Sequence, residues 1–139
     1  MDLQKPFIVV VDDDDEDRYL LNHSFIEIEL DDNVKFFGDA LQFIKYTELI
    51  SSLNVKPSLI ILDYKMPYMS GKAVLTYLKS SEFFREVSVV ILSGSLNEET
   101  QAKLFELGVS ACYQKGSEFK VLIEDLKEIV KYAAPVENK

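Results

Sequence analysis

The chain has 139 residues and a formal charge of −9, from 24 acidic against 15 basic side chains. That balance excludes a basic nucleic-acid-binding surface, and no apolar run is long enough for a membrane span or shaped like an export leader. A single cysteine, Cys112, and a single histidine, His23, exclude a disulfide framework and a soft-ligand zinc site and point to a reducing, cytoplasmic setting.

The apolar run at residues 7–11 predicts a first buried strand. Six acidic residues, 12–17, follow it directly. A helix is expected over about residues 16–30, with Leu21, Phe25 and Ile28 on one stripe and Asp14 or Asp15 as its cap. The turn Asp31-Asp32-Asn33 leads to a short second strand at 34–37. Asp39 is placed to cap a second helix reaching about Ser52, with Ala40, Ile44 and Thr47 as its inward stripe. Asn54-Val55-Lys56-Pro57 breaks it. Residues 59–62, apolar throughout, predict a central parallel strand, and a loop from Asp63 to Gly71 leads to a third helix at about 72–81. Residues 87–92 form the fourth strand. Asn97 caps a fourth helix that carries Glu98 and Glu99 in its first turn and stops at Gly108. Residues 111–114 form the fifth strand. Ser117 is expected to cap the fifth helix, with Leu122, Leu126, Ile129 and Ala133 as its stripe, before Pro135 and a polar tail.

Strict alternation of strand and helix implies a parallel sheet covered on both faces. In such a sheet the carboxyl ends of the strands share one edge, where ligands bind. That edge collects Asp12 and Asp13 after strand one, Asp63 after strand three, Ser93 after strand four and Lys115 after strand five. Crowded carboxylates repel unless a cation neutralises them, and hard oxygen donors suit Mg²⁺ or Ca²⁺. Carboxylates, a hydroxyl and an ammonium are the groups that phosphoryl transfer to a carboxylate needs. By contrast, the remaining acids 14–17 read as helix-capping and first-turn charge, His23 as structural or exposed, and Phe36, Phe37, Phe83 and Phe84 as packing.

These residues resemble the receiver domains of two-component response regulators. The likeness rests on Val10-Val11-Asp12-Asp13 with Arg18, on Leu62-Asp63-Tyr64-Lys65-Met66-Pro67 with Gly71, on Val90-Ile91-Leu92-Ser93-Gly94, and on Gly108 seven residues before Lys115. It covers residues 5–133, nearly the whole chain, as one domain with a short tail. The resemblance implies a flavodoxin-like, doubly wound five-stranded parallel sheet of order 2-1-3-4-5. It also implies a stand-alone, chemotaxis-receiver-like phosphoacceptor that is not an enzyme. Asp63 would accept the phosphoryl group. Asp13 and Asp63 would bind Mg²⁺ directly, Asp12 partly through water, and the main-chain carbonyl of Lys65 would be a further ligand. Ser93 and Lys115 would bind the phosphoryl oxygens, and the small Gly94 would leave the acyl phosphate reachable. A sensor histidine kinase or a histidine phosphotransfer protein would donate the group, a downstream protein would read the switched surface, and helices four and five offer a dimer surface.

Three positions depart from the family pattern. The lysine is followed by Gly116 where proline is usual. The aromatic switch position, three residues before it, is Cys112. The neighbouring Tyr113 is expected on the opposite face of the strand. Two alternatives stand beside the receiver reading: a Mg²⁺-dependent phosphohydrolase with Asp63 as nucleophile, and an unswitched interaction module. The first commonly carries a second acid two residues after the nucleophile, where this chain has Lys65.

Overall fold

A computed structural model of the chain describes residues 6–116 and 118–133. Five parallel strands form a sheet in the order β2-β1-β3-β4-β5. They are β1 (Ile8–Val11), β2 (Val34–Phe37), β3 (Leu59–Leu62), β4 (Ser88–Ser93) and β5 (Ala111–Gln114). The helices between and after them are α1 (Asp15–Glu27), α2 (Ala40–Ser52), α3 (Gly71–Lys79), α4 (Glu98–Glu106) and α5 (Phe119–Ile129). This is the flavodoxin-like arrangement.

Every residue of β1 and β3 is buried, because both faces of the sheet are covered. The period of two sorts their side chains. Val9, Val11, Ile60 and Leu62 pack with Phe43 of α2, Leu75 and Leu78 of α3 and Leu104 of α4. Ile8, Val10, Leu59 and Ile61 pack on the other face with Leu21 and Phe25 of α1 and Leu126 and Ile129 of α5. Fully burying one such side chain stabilises the fold by about 2–3 kcal/mol, so the two layers fix the register of the strands. Val11 then lies opposite Leu62, and Leu62 opposite Ile91. The strand ends that carry the polar residues are therefore level.

Three expected caps are in place, while the N-cap position of α5 is Glu118, which makes no side-chain cap bond. Asp14 accepts from the Asp17 amide at 3.0 Å, Asp39 from the Leu41 amide at 2.7 Å, and Asn97 from the Thr100 amide at 2.7 Å. Gly108 follows α4 with a φ of +104°, a conformation that glycine adopts without strain. Asn54, with a φ of +58°, turns the chain out of α2 at the expected break.

The boundaries differ in places, each for a local reason. α1 begins at Asp15 and ends at Glu27, short of residue 30. Glu29 adopts a positive φ, and the Leu30 amide closes back on the Phe25 carbonyl at 2.9 Å. That closure seats Leu30 against the layer under α1 and α5. The inward residues of α2 are Ala40, Phe43, Thr47 and Ile50, while Ile44 is only half-buried. α3 starts at Gly71, capped by Ser70, whose hydroxyl accepts from the Ala73 amide at 3.1 Å. β4 runs through Ser93, which pairs with Gln114 and is thus the strand's last residue. The expected cap Ser117, Pro135 and the polar tail lie outside the described residues. Among those residues no helix is long and apolar enough to cross a membrane.

Candidate functional site

The strand order reverses direction at β1 and β3, so their carboxyl ends flank the crevice where doubly wound sheets bind ligands. Backbone bonds pin the first residue beyond each strand. The Asp12 amide donates to Phe37 O at 2.9 Å, the Asp63 amide to Val11 O at 2.9 Å, and the Lys115 amide to Ser93 O at 2.7 Å. Three functional side chains thus leave rigid strand ends.

Asp12, Asp13 and Asp63 each offer a carboxylate oxygen within 4.8 Å of the others. Asp12 and Asp63 are buried and Asp13 is exposed. Three hard oxygens at this spacing, one open to solvent, fit a divalent cation that keeps part of its water shell. Tyr64 O accepts from the Gly71 amide and Pro67 O from the Met69 amide, both at 2.7 Å, and among the described residues the intervening Lys65 carbonyl takes no backbone bond.

Asp12 is held on both oxygens. Oδ1 accepts from the Asp14 amide at 3.0 Å, and Oδ2 lies 2.8 Å from Lys115 Nζ. Burial, opposed by the Lys115 hydrogen bond, pushes its carboxyl up to about 6. Burial also raises Asp63, against the lowering influence of Lys115 and the Ser93 hydroxyl. Ser93, itself buried, donates from Oγ to Asp63 Oδ1 at 3.0 Å. Lys115 Nζ lies 3.7 Å from Asp63 Oδ2. Burial alone would lower that ammonium, but hydrogen bonds to Asp12 and Asp17 outweigh it and hold the group above the ordinary lysine range.

The geometry thus brings together every expected side chain: Asp12, Asp13, Asp63, Ser93 and Lys115. A side-chain carbon added at Gly94 would meet nothing within 4 Å, so the space beside that residue is open. Cys112 and Tyr113 take opposite faces, Cys112 against the layer under α2, α3 and α4 and Tyr113 against the layer under α1 and α5. Gly116 joins Lys115 through a trans peptide, since no cis bond occurs among the described residues. His23 is exposed, with its ring edge-on to Tyr19.

Two contacts at the site were not expected from the sequence, one of Asp17 and one of Arg18. Asp17, read as first-turn charge, places Oδ2 2.6 Å from Lys115 Nζ. The signal was present: the sheet-facing stripe through Leu21 and Phe25, run back one turn, lands on Asp17. Arg18 donates from Nη1 to the Asp12 carbonyl at 2.7 Å and also pairs with Asp15. Its guanidinium lies where a side chain on Gly38 would otherwise sit: a β-carbon added there would stand 2.7 Å from Nη1.

A doubly wound sheet with an acidic cluster, a hydroxyl and a lysine at its switch point carries the groups that phosphoryl transfer to a carboxylate uses. A sequence profile described as the response regulator receiver domain matches residues 8–127, and the chain belongs to that family. Receiver domains are signalling phosphoacceptors rather than catalytic enzymes, so membership of the family favours that role over the phosphohydrolase alternative. Response regulator Rcp1 of Synechocystis sp. is 26% identical over 133 residues, covering 94% of this chain and 86% of Rcp1. The crystal structure of the manganese-bound form of response regulator Rcp1 superposes with a TM-score of 0.78 at 23% identity, covering 97% of this chain and 99% of that one. The phosphorylated cyanobacterial phytochrome response regulator RcpA gives a TM-score of 0.83 at 23% identity, covering 97% and 98%. These two structural likenesses bear on the fold. The acidic pocket is of the divalent-metal type found in receivers.

Proposed function

We propose that Asp63 accepts a phosphoryl group from a phosphohistidine and that Mg²⁺ assists the transfer. The observation that carries this reading is the convergence on Asp63 of Asp12 and Asp13 within 4.8 Å, Ser93 at 3.0 Å and Lys115 at 3.7 Å. An Asp63 carboxylate oxygen attacks phosphorus as the phosphorus–nitrogen bond breaks, and the departing imidazole keeps that electron pair and takes up a proton. Asp13 and Asp63 would hold the cation directly, with Asp12 partly through water and the Lys65 carbonyl as a further ligand. The cation's chemistry there would be to neutralise charge on the phosphoryl oxygens. Ser93 and Lys115 bind the remaining oxygens.

The acyl phosphate adds nearly two negative charges beside carboxylates that already repel. Ser93 is then drawn from Asp63 Oδ1 toward a phosphoryl oxygen, and the loop leading to α4 follows. α4 is suited to respond, because Leu104 is its one fully buried residue. A cavity of about 210 Å³, lined by Tyr64, Lys72, Thr100 and Leu104 among others, leaves it room. The shift moves an existing equilibrium between two surfaces. An unswitched module would need neither the Ser93 hydrogen bond to Asp63 nor a lysine 3.7 Å from the same carboxylate. We place the domain, about residues 5–133, in the cytoplasm. Its donor is a sensor histidine kinase or a histidine phosphotransfer protein, and a downstream protein reads the switched face, with α4 and α5 available for dimer formation.

Incubation with acetyl phosphate and Mg²⁺, followed by intact-mass spectrometry, tests the assignment. The wild type should gain one phosphoryl group and Asp63→Asn none. Equal labelling of Asp63→Asn would place the acceptor elsewhere.

A further inference from the structure

We propose that Asp17 is a positioning residue: an anionic latch that holds the Lys115 ammonium toward α1 and so weakens the hold of the site on a phosphoryl group at Asp63. The proposal rests on Asp63 being the phosphoacceptor. Lys115 Nζ sits 2.6 Å from Asp17 Oδ2 and 2.8 Å from Asp12 Oδ2, but 3.7 Å from Asp63 Oδ2. The first two separations are hydrogen bonds and the third is beyond one. The ammonium is thus hydrogen-bonded to the pair Asp12 and Asp17, and its contact with the reacting carboxylate is the longest of the three.

Asp17 is built for this place. Its amide is fixed by the Asp14 cap at 3.0 Å, and it stands one turn before Leu21, which anchors α1 to the sheet. Its side chain is one-third exposed and that of Lys115 only 15%, so water screens the contact incompletely. Two effects then act in the same direction. A phosphoryl oxygen must draw the ammonium away from a carboxylate that already holds it at 2.6 Å. The Asp17 charge also repels the incoming dianion across the same lysine. Nothing in metal binding requires Asp17, because the cation's carboxylates are Asp12, Asp13 and Asp63.

Beryllofluoride, which mimics the phosphoryl group, provides the test. Its affinity is measured by fluorine NMR titration at saturating Mg²⁺ for the wild type, Asp17→Asn, Asp17→Glu, Lys115→Ala and the double variant Asp17→Asn with Lys115→Ala. Asp17→Asn should bind beryllofluoride about tenfold more tightly, the size of effect expected for one incompletely screened charge. Asp17→Glu, which keeps charge and reach, should stay close to the wild type. In the Lys115→Ala background, Asp17→Asn should give most of its gain away, since no ammonium remains to be released. Thermal melting of metal-free Asp17→Asn should fall while its beryllofluoride affinity rises. A residue with a merely structural role would not separate these signs. Unchanged or weaker binding by Asp17→Asn, or the full gain in the Lys115→Ala background, overturns the latch. Absence of beryllofluoride binding by the wild type overturns the assignment of Asp63 and the latch with it.

Discussion

Replacing Lys115 by alanine should destabilise the metal-free protein by roughly 3 kcal/mol at pH 7, toward the lower end for a broken buried ion pair because the ammonium is slightly exposed. The lysine is the cation shared by Asp12, Asp17 and Asp63, at 2.8, 2.6 and 3.7 Å. Without it, buried Asp12 and Asp63 face each other uncompensated. The pH dependence has a definite sign. The Asp12 carboxyl is raised to about 6 from an ordinary 3.8, so its contribution to stability is complete below pH 3.8 and is lost as pH rises through about 6. Lys115 lowers the Asp12 value, so its removal moves Asp12 further up and enlarges the loss at neutral pH. Urea denaturation should therefore show a wide gap between Lys115→Ala and wild type at pH 7 and a narrower one at pH 5. Mg²⁺ should restore part of the difference, as a second cation among the same carboxylates. A gap of equal size at both pH values would contradict the assigned charge balance.

Gly71→Ala should cost about 3 kcal/mol, the upper range for forcing an extra carbon into a packed site. An added β-carbon would stand 2.5 Å from the Asp63 carbonyl oxygen and 2.9 Å from Tyr64 Cα. Both are backbone atoms of the loop that presents the phosphoacceptor, so no flexible side chain can yield. The Gly71 amide also bonds Tyr64 O at 2.7 Å, which ties α3 to that loop. The substitution should lower the melting temperature by about 10 °C for a chain of this size. It should also slow acetyl phosphate labelling, because Asp63 moves with its own carbonyl. Gly94→Ala, where an added carbon meets nothing within 4 Å, is the matched control and should leave the melting temperature unchanged. Equal melting of Gly71→Ala and Gly94→Ala would contradict the close approach.

Much of this architecture is legible in the sequence because it is dictated by short-range rules. β1 and β3 are apolar throughout, and only a sheet covered on both faces calls for that. Asp14, Asp39 and Asn97 cap helices as their side chains allow. The acids, Ser93 and Lys115 converge because each stands at a carboxyl strand end. Strand order was available through the family resemblance and not through periodicity, which carries no information on neighbours. The stripe of α2 was misassigned from Phe43 and Ile50 to Ile44, since a short helix with many apolar residues admits two adjacent stripes. Asp17 was overlooked for a different reason. An acid in a first helical turn already has a sufficient local explanation in the helix dipole. Its contact with Lys115, 98 positions away, depends on α1 and α5 packing side by side. The role of Arg18 likewise requires the loop after β2 to pass beneath its guanidinium.

The central claim is that Asp12, Asp13 and Asp63 gather around one divalent cation beside the reactive Asp63. Anomalous diffraction from crystals grown with Mn²⁺ locates such an ion directly. One strong peak is expected, bounded by the Asp13 and Asp63 carboxylates and within water-bridged reach of Asp12, and it should disappear in Asp13→Ala. A peak held by other residues, or Mn²⁺ retained at full occupancy in Asp13→Ala, would contradict it.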